Sequence, residues 1–127
     1  MTLGQLAMHV ATLPDAIAKL STLGSFDVNT EIPRPGATSV AELTATLEQS
    51  LTKARTLLGA MDDAALNSPW RVVSGDQEFA TLPRGALLRS TMLNHLYYHR
   101  GQLTVYLRLT GALVPALYGA SADESPF

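Results

Sequence analysis

The sequence predicts an all-α fold, a helical bundle with a small irregular or hairpin insert before the last long helix. Three stretches, at about 3–22, 40–60 and 83–109, repeat apolar residues every three or four positions, the spacing that places them on one face of a helix. With 127 residues, the chain is expected to form a single domain, 1–127, large enough for one hydrophobic core.

The first helix begins with a capping box, Thr2 followed by Gln5, and Gly24 supplies its C-terminal stop. Pro14 lies inside this helix and lacks the backbone N–H that a helix interior uses, so a kink just after His9 is expected. The alternative is that the helix breaks and restarts with Pro14 in its first turn.

The middle of the chain combines a second helix with less regular segments. Residues 25–38 lose periodicity and are rich in turn formers, which predicts a surface loop. A second capping box, Ser39 to Glu42, opens the second helix. One short helical turn is expected at 62–67, followed by two short strands around a turn at 74–76, although neither strand alternates cleanly.

The last long helix contains two of the three histidines, His95 and His99, at a spacing of four. Residues four apart on a helix lie on the same face, so both rings can point at one spot. They interrupt an apolar stripe that is expected to face inward, and a buried imidazole needs a partner. That partner is either a backbone or water hydrogen bond or a shared metal ion. The tail, 112–127, is predicted to be ordered coil.

Composition excludes several classes of function. With 46% hydrophobic and 16% charged residues the chain is globular, and a net charge of −2 gives no electrostatic reason to expect nucleic-acid binding. The absence of cysteine excludes disulfides, thiolate ligands and a cysteine nucleophile. No signal peptide or membrane-spanning run is recognised. We therefore expect a soluble, cytoplasmic protein without a nucleic-acid or membrane partner.

Three segments, taken together, resemble the DinB-like (DinB/YfiT-like) superfamily. They are Thr-Leu-Gly-Gln-Leu-Ala-Met-His-Val-Ala around His9, His-Leu-Tyr-Tyr-His-Arg-Gly-Gln-Leu from His95, and the closing Val-Pro-Ala-Leu-Tyr-Gly-Ala-Ser-Ala-Asp-Glu at 114–124. The resemblance implies an up-down four-helix bundle with a three-histidine metal site. Carried over to this chain, it makes His9, His95 and His99 the ligands of a divalent ion, nickel or zinc.

In the family that the sequence resembles, some members transfer low-molecular-weight thiols or act on their adducts, while many have no assigned reaction. The expected function is metal-dependent hydrolysis or thiol (S-) transfer on a small molecule such as a low-molecular-weight thiol. No catalytic residue is assigned, because no nucleophile pattern or second carboxylate base is recognised. Gln102, one turn beyond His99, is expected either to hydrogen-bond a metal-bound ligand or to be satisfied within the bundle. Trp70 is expected to line the pocket or to cap the core.

One departure from the family concerns the start of the chain. Family members have a long helix before the one with the first histidine, and this sequence begins at the second. Three long helices leave one groove of a four-helix core open, so a homodimer or higher assembly is expected. The alternative function is a non-catalytic oligomeric stress-response or assembly protein that keeps the bundle without the metal. In that case His9 would lie apart from the other two histidines.

Overall fold

The computed structural model describes residues 1–125, and its centre is a pair of long helices. Helix α1 (Leu3–Thr22) packs against α2 (Val40–Gly59). The buried core residues of these two helices and of the last helical region have small or flexible apolar side chains, which allow the helices to approach each other closely. They are Leu13, Ala18, Ala54 and Met92. Both helices have the bounds that the apolar periodicity predicts, to within one residue.

The predicted capping box of α1 is confirmed. The N–H of Gln5 donates to Thr2 Oγ1 at 3.2 Å, and the N–H of Thr2 donates to Gln5 Oε1 at 2.9 Å. The helix continues through Pro14, so the predicted alternative of a break is wrong. The N–H of Asp15, next to the proline, donates to Ser50 Oγ on α2 at 2.9 Å. The proline site is therefore tied to the neighbouring helix.

The prediction of an all-α fold is wrong, because the chain also forms a three-stranded mixed sheet. Strands β1 (Ser25–Asp27), β2 (Pro69–Ser74) and β3 (Gln77–Pro83) lie in that order, β1 parallel to β2 and β2 antiparallel to β3. The hairpin of β2 and β3 was expected, but β1 falls in the segment predicted as loop. Three residues are too short to display a period, and β1 is held by pairing with a strand more than forty residues away.

The register of the sheet places five residues on one face. Phe26 pairs with Val72, Val72 with Ala80, and Trp70 with Leu82. Because side chains alternate between faces along a strand, these five share the same side. A register shift between Val72 and Val73 marks a bulge, which explains why the alternation was not clean in the sequence.

The last helical region contains an irregularity that its sequence does not reveal. After a short helix, α3 (Asp63–Asn67), and the hairpin, the chain enters α4 (Arg84–Leu87), then a π-helical segment (Leu88–Asn94), then α5 (His95–Leu109). The prediction was one α-helix from residue 83 to residue 109. The wider π-helical turns directly precede the first of the two neighbouring histidines, and such turns are frequent at functional sites.

The tail, described from 112 to 125, contains neither helix nor strand, as predicted; residues 126–127 of the predicted coil lie outside the described residues. Asp123 fastens it, accepting the N–H of Val114 at 2.9 Å and pairing with Arg108 on α5. Within residues 1–125, no helix has the combination of length and apolar character that crossing a bilayer requires. That residues 1–127 form a single domain stays a prediction.

Candidate metal centre

Two helices bring the three histidines together. His9 comes from the middle of α1, while His95 and His99 lie one turn apart at the start of α5. The ring centroids are 4.5 Å apart for His95 and His99, 4.7 Å for His9 and His99, and 5.3 Å for His9 and His95. One nitrogen from each ring lies within 4.8 Å of the other two. The group can therefore hold a metal ion.

A hydrogen-bond chain fixes the orientation of His99, which is buried. Its Nδ1 lies 2.7 Å from Gln102 Oε1, and Gln102 Nε2 donates to Tyr98 Oη at 2.9 Å. An amide oxygen only accepts, so Nδ1 of His99 carries the proton and Nε2 has a free lone pair. The Gln102 side chain thus selects the tautomer in which Nε2 of His99 can bind a cation.

The π-helical segment ends directly before His95. The backbone N–H of His95 donates to the carbonyl of Met92, three residues back. A regular α-helix would use the Thr91 carbonyl for the backbone N–H of His95.

The rings of His95 and His99 face each other across a short gap. Nε2 of His95 lies 2.6 Å from Nε2 of His99, whose lone pair faces it in the tautomer assigned above. Two ring nitrogens this close together share a proton or a metal cation. Nitrogens bound to one tetrahedral ion lie about 3.4 Å apart, within the range of 2.6 to 4.8 Å found here. The donor set fits a divalent ion.

The surroundings of His9 and His95 favour the neutral imidazole, the form that binds metals. Burial lowers the pKa of His9 below its ordinary value of 6.5, and repulsion from His99, His95 and Arg34 lowers it further. Burial followed by repulsion from His99 also lowers the pKa of His95. A ligand histidine must be unprotonated, so the lowered pKa values of His9 and His95 favour metal binding by these two rings at neutral pH.

Two of the histidines border an apolar cavity with a volume of about 620 Å³. His9 and His95 form part of its wall. The five residues on one face of the sheet all line it: Phe26, Trp70, Val72, Ala80 and Leu82. A small molecule in this cavity would contact the histidine cluster directly.

Several sequence-based expectations about neighbouring residues are resolved by the structure. Gln102 is satisfied within the fold by His99 and Tyr98, and Trp70 is both buried and part of the cavity wall. Also on α5, the guanidinium of Arg100 contacts the ring and hydroxyl of Tyr118 in the tail.

Sequence reasoning missed the apolar residues of the sheet that line the cavity. Val72 and Ala80 could have been found from the alternation of Trp70 with Val72 and of Ala80 with Leu82, had the bulge not obscured it.

Fold and site together define a class of protein: a long-helix scaffold with a small sheet and a three-histidine cluster able to hold a metal ion. Comparison with known proteins gives its family. The model of the DinB family matches residues 1–126, and the chain belongs to that family. The DinB-like identity expected from the three sequence segments is therefore confirmed.

Two relatives support this assignment at different levels. The crystal structure of a DinB-like protein from Bacillus cereus ATCC 10987 has a TM-score of 0.66 and 28% sequence identity, covering 93% of this chain and 74% of that one. The uncharacterized protein YrdA of Bacillus subtilis (strain 168) is 42% identical over 43 residues, which are 34% of this chain and 25% of YrdA. The matched part thus spans a quarter of YrdA.

Proposed function

We propose that this chain is a metal-dependent enzyme in which His9, His95 and His99 hold one divalent ion, zinc or nickel, next to a small-molecule cavity. The observation that supports it most strongly is the convergence of the three rings. The non-catalytic alternative predicts that His9 lies apart, whereas its ligating nitrogen is within 4.8 Å of the other two.

Each residue of the site has a definable task in this proposal. Gln102 holds His99 in the tautomer that leaves Nε2 free to bind a cation. The cavity would place a substrate beside His9 and His95.

A divalent ion held by three neutral imidazoles would act as a Lewis acid, lowering the pKa of a bound water or thiol and so favouring its anion at neutral pH. This supports hydrolysis or thiol transfer on a small molecule. No carboxylate lines the described cavity as a general base, so the histidine cluster is the centre of either reaction.

The experiment is metal analysis and activity screening of untagged protein, wild type and His95→Ala, with Asn94→Ala as the control on an exposed neighbouring position. Wild type and control should retain about one ion per chain and act on ester or thiol-adduct substrates, while His95→Ala should lose both properties. Activity that survives in His95→Ala, or after chelation of the metal, would reject the enzymatic proposal.

The homodimer and the cytoplasmic location expected from the sequence stay predictions. Val105 and Leu109 on α5 are apolar and exposed, and a Cβ placed on Gly101 would meet no side chain of the described residues within 4 Å. A partner subunit would be expected to cover this side of α5. Light scattering of the protein as it elutes from a size-exclusion column would decide between monomer and dimer.

A further inference from the structure

We infer that the cavity beside the three histidines takes the uncharged, apolar body of a small substrate whose anionic or ionisable head group faces His9 and His95. The inference rests on the proposed function and names the substrate class for that site. Three observations support it: the cavity wall is apolar, its hydroxyl and indole donors already have acceptors, and Arg34 lies near its histidines.

The wall of the cavity is uncharged apart from its histidines. Of the residues in the described chain that line it, none is Asp, Glu, Lys or Arg. The sheet supplies one apolar surface, and α1 supplies the facing one through Leu13, Ile17 and Leu20. A charged group placed between these surfaces would lose its hydration without gaining a partner, whereas an apolar group would gain by leaving water.

The hydroxyl groups of the wall already donate to other acceptors. Thr12 Oγ1 donates to the carbonyl of Met8 at 3.0 Å, and Ser90 Oγ donates to the carbonyl of Ala86 at 2.9 Å. Thr91 Oγ1 lies 3.4 Å from Ser90 Oγ, and since the Ser90 proton is used, Thr91 is the donor there. These groups do not offer a free proton to a carbonyl or carboxylate of a bound molecule.

The indole of Trp70 is occupied in the same way, because its Nε1–H points to the carbonyl of Leu20 at 3.4 Å. A ligand rich in hydrogen-bond acceptors would therefore find few donors in the body of the cavity. Polar recognition is confined to the end where His9 and His95 lie.

A positively charged residue lies beside that same end. Pro33 lines the cavity, and Arg34 follows it in the chain. The Arg34 segment is held against α1, since Gln5 Nε2 donates to the Arg34 carbonyl at 3.3 Å. An anionic head at the histidines is thus favoured by charge, while the other end of the cavity favours an uncharged tail.

The test compares hydroxamates that share one metal-binding head and differ in the tail, titrated calorimetrically into the zinc-loaded full chain. The compounds are acetohydroxamate, octanohydroxamate and two analogues of octanohydroxamate, of the same chain length, whose tails end in ammonium or carboxylate. Each buried methylene is worth up to about fourfold in affinity, so octanohydroxamate should bind at least about 30-fold more tightly than acetohydroxamate. The charged-tail analogues should gain less than about threefold.

Two results would overturn the inference: octanohydroxamate binding no tighter than acetohydroxamate, or a charged tail binding as well as the apolar one. Failure of the proposed function is separately visible as protein that neither retains zinc nor binds acetohydroxamate. The cavity is then judged in the metal-free protein by NMR titration with 1-octanol and 8-amino-1-octanol. A preference for 1-octanol supports the apolar cavity, and equal binding rejects it.

A charge placed in the wall should change this preference. Ala16 lines the cavity and is exposed on α1, so Ala16→Asp is expected to fold and to shift the ratio of ammonium-tailed to apolar-tailed binding by at least about tenfold. Ala45→Asp, at an exposed position of α2 outside the cavity, should leave the ratio unchanged. Ala80→Asp on β3 provides a second position if Ala16→Asp does not fold. An unchanged ratio in a folded variant would contradict the inference.

Discussion

The two sides of α1 differ in how they are packed. Towards α2, Ala18 is fully buried, Ala54 is 5% exposed, and Ser50 bonds the backbone beside Pro14. Towards the sheet, the same helix borders a cavity of about 620 Å³ and presents His9 to the other histidines. The side of α1 that faces α2, the closed side, stabilises the fold, and the side that faces the sheet, the open side, is available to a ligand. If stability and binding are divided in this way, substitutions on the two sides should affect different properties.

The largest expected effect is a loss of folding stability caused by a substitution on the closed side. Met92 is 7% exposed within the core cluster, and Met92→Ala should lower the free energy of unfolding by about 2–5 kcal/mol, because the vacated space cannot collapse fully. Urea unfolding of the metal-free protein measures this change.

The matched substitution on the open side is Leu82→Ala. Leu82 already borders the cavity, so its truncation removes fewer packing contacts and should cost less than half as much. Equal losses in the two variants would show that the two sides do not differ in packing.

The next largest effect is a loss of zinc affinity at the three-histidine site, with the free energy of unfolding nearly unchanged. Gln102→Ala removes the acceptor that fixes the tautomer of His99, and zinc affinity should fall by about 10- to 100-fold. Competition with a chromogenic chelator measures the affinity. Gln102→Glu keeps an acceptor for Nδ1–H and should restore most of it, whereas Thr104→Ala, also on α5, should have no effect. Equal losses in the Ala and Glu variants would mean that Gln102 does not act through His99.

The smallest expected effect is a local loss of stability around Asp27 at acidic pH, at the edge of the open side. The backbone N–H groups of Asn29 and Gly75 donate to Asp27 and hold the pKa of its carboxyl below the ordinary value of 3.8. Because the folded pKa is lowered, this contribution to stability is complete above about pH 3.8 and is lost as the pH falls through the folded value.

Hydrogen exchange of β1 and β2 amides measures this loss. Protection at Val28, whose N–H donates to Val73, should decrease between pH 5 and pH 3 after correction for intrinsic exchange, relative to amides of α2. Asp27→Asn should show the weaker protection already at pH 5. A uniform change across the sheet and α2 would contradict a local role for Asp27.

The helices and the histidine cluster could be predicted from sequence because their signals are local. Thr2 with Gln5 and the long apolar periods determine where α1 and α2 begin and end, and the spacing of His95 and His99 determines a shared face. The addition of His9 needed the family resemblance, since nothing local relates residue 9 to residue 95.

The sheet and the cavity were not predictable in the same way. β1 has three residues and exists only through pairing with β2, while the bulge at Val72 and Val73 hides the alternation of the hairpin. The π-helical turn before His95 likewise leaves no mark in residue types, because its apolar spacing fits an α-helix nearly as well. The residues that shape the cavity therefore depend on tertiary contacts.

The metal centre is tested most directly by a crystal structure of untagged, zinc-soaked protein with anomalous data collected on both sides of the zinc absorption edge. We expect one ion per chain, about 2.0–2.1 Å from a nitrogen of each of His9, His95 and His99. An ion bound elsewhere, or a structure in which His9 turns away from the other two rings and no ion is found, would contradict it.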